Sequence, residues 1–224
     1  MLEILNEQIQ RHPLVLDEKL SEYVFFPLYH IFRQMDQYPM PLIENCIKAL
    51  AILITYGWKT KISAELVKQI LSLLTFILDG TPGSAQKRPV AEETALEAFR
   101  GLTALFTTAG TSTTAASGLS EAETIPALGH GVTVMLDGVV SGATPQIQQE
   151  ALRALQAVYH TIKEPAALAS FLPGTVSSLA KAASSPNRYK GNVLAKCLET
   201  VSLVLTTVLA DLRTRSILAK SEAE

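Results

Sequence analysis

Few side chains in this sequence could do chemistry, and their spacing argues against most of the chemistry they could do. The four histidines, His12, His30, His130 and His160, share no metal-ligand spacing with one another or with the two cysteines, Cys46 and Cys197. His30 and His160 fall inside helical patterns, where a packing or solvent-facing role is expected. Cys46 and Cys197 take the small-residue place of a recurring motif, so they read as small hydrophobes rather than nucleophiles. Gly129-His130-Gly131 is like a phosphate loop only superficially, since no strand precedes it, as a nucleotide-binding turn would require. No G-x-S-x-G, no H-E-x-x-H and no persuasive pair of carboxylates occurs. The sequence therefore predicts no catalytic, cofactor-binding or metal-binding residues, and it assigns no partner-binding residues. An all-α enzyme with a site assembled from distant positions is kept as a rival.

The remaining polar features read as surface. Lys59 and Lys61, Lys87 and Arg88, and Arg188 and Lys190 flank helix ends or loops, where solvated charge is the ordinary outcome. A net charge of −2 and a pI near 6.1 provide no field for gathering nucleic acid or anionic lipid. The Thr/Ser-rich run 107–120, TTAGTSTTAASGLS, is expected to be a mobile loop. Thr81-Pro82, Thr144-Pro145 and Ser185-Pro186 fit proline-directed kinases, although helix starts explain the last two equally well.

These residues must be positioned by helices. The 224 residues are 48% apolar and only 18% charged, a globular composition. They include 32 leucines and 27 alanines, both strong helix formers. In residues 145–162, Ile147, Ala151, Leu155, Val158 and Ile162 share one helical face, while Gln149, Arg153 and Gln156 occupy much of the other. Reading the whole chain in this way predicts helices over 21–36, 41–57, 63–79, 90–108, 121–140, 145–162, 166–183 and 189–212, with a short one at 2–10. Ser120 and Glu123 fit a capping box for the fifth, and Thr144-Pro145 an N-cap and first position for the sixth. Residues 129–142 are glycine-rich and β-branched; a helix is expected there, since a lone strand would have no partner.

The helices repeat in pairs. CIKAL at 46–50, ALEAF at 95–99 and ALRAL at 151–155 recur in every second helix, with a looser AKCL at 195–198, and their charged positions are Lys48, Glu97, Arg153 and Lys196. Two-helix repeats of this kind are the HEAT/armadillo pattern, with insertions at 79–90 and 107–120 stretching the period. The expected fold is all-α: a single α-solenoid of about four such pairs over residues 1–224, with flexible loops near 79–90 and 107–120. The last helix has a stripe of Leu194, Leu198, Val201, Leu205, Val208 and Leu212, and further apolar residues around it, so another helix is expected to pack there. The first ten residues lack a signal peptide, and the apolar runs 66–78 and 201–212 are too short to span a bilayer. With two distant cysteines, an intracellular chain is expected. Such a chain reads as a helical-repeat interaction module.

Three segments carry a family resemblance. LSEYVFFPLYHIF at 20–32, followed by ENCIKALAILI at 44–54 and Trp58, resembles the opening repeat of the Tel-two-interacting protein one family. IPALGHGVTVMLDGV at 125–139 is similar to its intervening helix. SFLPGTVSSLAKAA at 170–183 and VSLVLTTVLAD at 201–211 resemble a later segment, in the same order. The resemblance implies the N-terminal part of a long HEAT-repeat scaffold without cofactor or catalytic residue. That scaffold belongs to the Triple-T complex with Tel-two-like and Tti-two-like subunits. Its implied partners are the phosphatidylinositol 3-kinase-related kinases and a heat-shock chaperone with its adaptor complex, in the cytoplasm with the nucleus as a second location. A generic HEAT/armadillo adaptor in transport or trafficking is the alternative.

Overall fold

A computed structural model describes residues 2–12, 17–59, 62–79, 90–162, 164–184, 194–195, 197–206, 209–210 and 213. Among them are the helices α1 (Leu2–Arg11), α2 (Glu18–Arg33), α3 (Met40–Ile52), α4 (Ala64–Asp79), α5 (Glu92–Gly110), α6 (Thr113–Gly118), α7 (Ile125–Ser141), α8 (Pro145–Thr161) and α9 (Pro165–Ala183). A further apolar helix, α10, covers Cys197–Thr206. The described residues contain no strand.

Local chemistry fixes several boundaries. Asp17 caps α2 by accepting from the Leu20 N–H at 2.8 Å. Thr144 caps α8 through the Ile147 N–H, with Pro145 at the first helical position. The α3 helix ends in one π turn, Leu53–Gly57, closed by the Trp58 N–H donating to the Leu53 carbonyl at 3.1 Å. Trp58 is buried there, with the Phe25 ring edge-on at 5.5 Å.

The helices stack in two layers. The α3, α5 and α8 helices lie side by side in one, and α4, α7 and α9 in the other; α4 packs on α5 and α7 on α8. The motif helices CIKAL, ALEAF and ALRAL therefore share a layer. The shared core runs between the layers and includes Ile47, Leu71, Leu74, Phe106, Met135 and Leu155, all inaccessible to solvent. Lys48 and Arg153 point outward and Glu97 is half-buried, as the repeat requires; Lys196 lies outside the described residues.

Threonines tie the first layer together. At the helix starts, Thr94 donates to Glu44 Oε1 at 3.2 Å and Thr144 to Glu92 Oε1 at 2.7 Å. At the helix ends, Thr108 donates to the Ile54 carbonyl at 3.3 Å and Thr161 to the Phe106 carbonyl at 2.7 Å. Both sets join like ends, so α3, α5 and α8 run parallel.

The uncertain stretch 129–142 is helical. In α7, a Cβ on Gly131 would lie 2.9 Å from Leu71 Cδ1, and one on Gly138 would lie 2.6 Å from Phe99 Cζ and 2.8 Å from Ala151 Cβ. Glycine at these places lets α4, α5 and α8 close on the helix, which outweighs its poor propensity.

Three expectations are corrected. The run 107–120 is not a loop throughout: α5 continues to Gly110, and Ser112 caps α6 by accepting from the Ala115 N–H at 3.4 Å. Ala115 and Leu119 are buried there, so packing overrides the polar composition. The Ser120–Glu123 capping box does not form, because residues 121–124 make turns and α7 begins only at Ile125, without a side-chain cap. The α10 face is rotated: Cys197, Thr200 and Val204 are buried, whereas Leu198 of the expected stripe is 56% exposed. Small residues and a 2.9 Å bond from Gln156 Nε2 to Thr200 Oγ1 decide which side of this apolar helix faces α8. Among the described residues, one segment, Met40–Gly57, has the length and hydropathy of a membrane span, at mean hydropathy 1.2. Ile43, Cys46, Ile47, Leu50, Leu53 and Ile54 are wholly buried in it, as in a core helix. The 79–90 insertion lies almost wholly outside the described residues.

Candidate interaction surfaces

The reactive side chains do not converge. Cys46 and Cys197 are buried and free, and burial pushes each thiol up to about 11. His12, His30 and His160 are exposed on separate elements. His130 sits in the second turn of α7 with Nε2 3.9 Å from Asp79 Oδ2 on α4, so Gly129-His130-Gly131 is helix rather than phosphate loop. Tyr159 reaches across from α8 to hydrogen-bond Thr175 on α9, and its burial raises the phenol to about 12. Among the described residues, no group of three or more His, Cys, Asp or Glu could hold a metal ion. Lys61, Lys87, Arg88, Arg188, Lys190, Thr81-Pro82 and Ser185-Pro186 lie outside the described residues.

What the helices do assemble is surface. Along the outer side of the α3–α5–α8 layer runs a groove, in adjoining parts of about 490 and 520 Å³, where Thr103, Thr107 and Arg153 line both. Small threonine and alanine side chains keep it open. Glu150, mostly covered, holds both of its arginines: Arg153 Nη1 lies at 3.0 Å and Arg100 Nε at 3.7 Å. Glu97 takes the other side of Arg100 at 2.8 Å. Those guanidinium groups are already neutralised by the protein itself.

A second groove lies in the other layer. The α4, α7 and α9 helices pack side by side, but α2 stands off α4 and leaves a cleft of about 520 Å³. Phe32, Leu73 and Phe76 form its apolar floor, and Arg33 and Lys68 stand at its rim. The outer face of α2 carries Leu20, Tyr23 and Phe26 at three-residue spacing, with Tyr23 80% and Phe26 78% exposed. Leu198 and Leu209 are exposed at the far end of the chain. Sequence reasoning missed both grooves. It did quote the α2 aromatics, as family wording rather than as an exposed stripe.

Layered helices with paired grooves, and no assembled reactive centre among the described residues, define a scaffold-like helical-repeat domain. The chain belongs to the family described as the TTI1 N-terminal TPR domain, whose model matches residues 1–224. It is similar to TEL2-interacting protein 1 of Saccharomyces cerevisiae (strain ATCC 204508 / S288c), at 26% identity over 211 residues. That alignment covers 88% of this chain and 20% of the yeast protein, so the chain spans about a fifth of that relative's length. No solved structure matches. The family description names TPR where HEAT/armadillo pairs were expected; stacked antiparallel helices are common to both.

Proposed function

We propose that this chain is a non-enzymatic binding segment of a Triple-T scaffold, supporting the folding, assembly and stability of phosphatidylinositol 3-kinase-related kinases. The observation that carries the reading is the family match along all 224 residues. The yeast relative's name supports a Tel-two-like subunit as one partner. A Tti-two-like subunit, the client kinases and a chaperone with its adaptor follow from the same resemblance. In this reading the helices count as about four HEAT/armadillo-like pairs, working in the cytoplasm and, for some clients, in the nucleus. Binding energy would be spread over helical faces, as the open grooves and the exposed α2 aromatics suggest.

The test is affinity purification of the chain from extract of its own cells, with mass spectrometry of what is bound. Recovery of Tel-two-like or Tti-two-like subunits, or of giant kinases, is the expected outcome. Recovery of transport cargo or coat proteins instead would overturn it in favour of a trafficking adaptor.

A further inference from the structure

We infer that the cleft between α2 and α4 is a docking groove for an acidic amphipathic helix of a partner protein. The inference rests on the reading of the chain as a protein-binding module, and names the chemistry of one of its partners.

Two observations converge on that occupant. The floor, made by Phe32, Leu73 and Phe76, is apolar, and the volume of about 520 Å³ falls in the range of ligand clefts, about 300–1,000 Å³. A groove of this kind takes a row of large side chains from one helix face. Next, the rim is cationic and unspent. Among the described residues neither Arg33 nor Lys68 has a carboxylate partner, in contrast to Arg100 and Arg153 in the other groove. The one acid lining the cleft, Glu65, already accepts from Gln69 Nε2 at 3.2 Å. The Arg33 guanidinium is held 6.0 Å from the Tyr29 ring centroid, which fixes one cation at the rim before any ligand arrives. Apolar anchors flanked by glutamate or aspartate satisfy both; a basic helix would meet two uncompensated cations.

The test uses two fluorescent amphipathic peptides about 15 residues long, with the same leucine and phenylalanine stripe. One has glutamates on its polar face and the other lysines. Anisotropy titrations against the 224-residue chain are expected to show saturable binding of the glutamate peptide, at least about tenfold tighter than the lysine peptide and weakened by salt. Ser72 lies exposed in the cleft, and Ser72→Trp should fill it and abolish binding while leaving the helical circular dichroism unchanged. The double variant Arg33→Glu with Lys68→Glu should reverse the preference between the peptides. Absence of saturable binding by the glutamate peptide, equal binding of the two, or binding unaffected by Ser72→Trp would each overturn the inference. If the groove fails while the extract purification still recovers the Triple-T partners, the scaffold reading stands without it.

Discussion

At the residue scale, the two cysteines are stored rather than used. Burial lifts both thiols from an ordinary 9.0 to about 11, so the folded chain holds their protons more tightly than the unfolded chain does. The sign follows: stability is unaffected below about pH 9 and is lost as pH rises toward 11, where unfolding allows the thiols to ionise. Chemical denaturation between these pH values is expected to show that loss, and replacing both cysteines by alanine should flatten it. An aromatic disulfide reagent at neutral pH should label neither thiol until denaturant is added. Gly138 bears on packing in the same way. A Gly138→Val side chain would strike Phe99 and Ala151, so the melting temperature should fall by an amount corresponding to about 1–3 kcal/mol. The place of the cysteines inside the core was legible from their small-residue slot in the motif. Partners for Gly138 were not, because close approach depends on which helices meet, and one strand of sequence does not say.

At the element scale, α8 offers the sharpest contrast. Leu155 is wholly buried between the layers, whereas Gln149 is only half-buried on the same helix. Leu155→Asp should abolish cooperative unfolding by placing a lone charge in the core, while Gln149→Asp should shift the melting temperature little. Comparable, mild shifts for the two would mean that the helix faces are misassigned. Strong periodicity made α3, α5 and α8 readable, along with Thr144-Pro145 as the start of α8. The α6 helix was hidden because Thr, Ser and Gly favour loops locally, and burial of Ala115 and Leu119 decided otherwise. The facing of α10 was hidden for the opposite reason: with apolar residues on several sides, its periodicity admits more than one stripe. Thr161 shows a third limit. Its bond to the Phe106 carbonyl crosses 55 positions and leaves no trace in local pattern. Thr161→Val should cost about 1 kcal/mol in denaturant unfolding.

At the scale of the molecule, stacked layers imply length. Small-angle scattering should give a radius of gyration above the value of about 17 Å expected for a sphere-like domain of this size. The CIKAL–ALEAF–ALRAL repeat carried that architecture in the sequence, and the grooves it leaves were invisible because they are gaps between helices remote in the chain. The threonine ties also have a mechanical side. Clamped at both tips, α3, α5 and α8 form something close to an inextensible ribbon, since fanning them apart would break hydroxyl bonds at one end or the other. Among the described residues, no such stitching crosses the α2–α4 gap of the opposite layer. A load along the molecule would therefore bend it about the tied ribbon as a hinge line, with the strain taken up by widening or narrowing that gap.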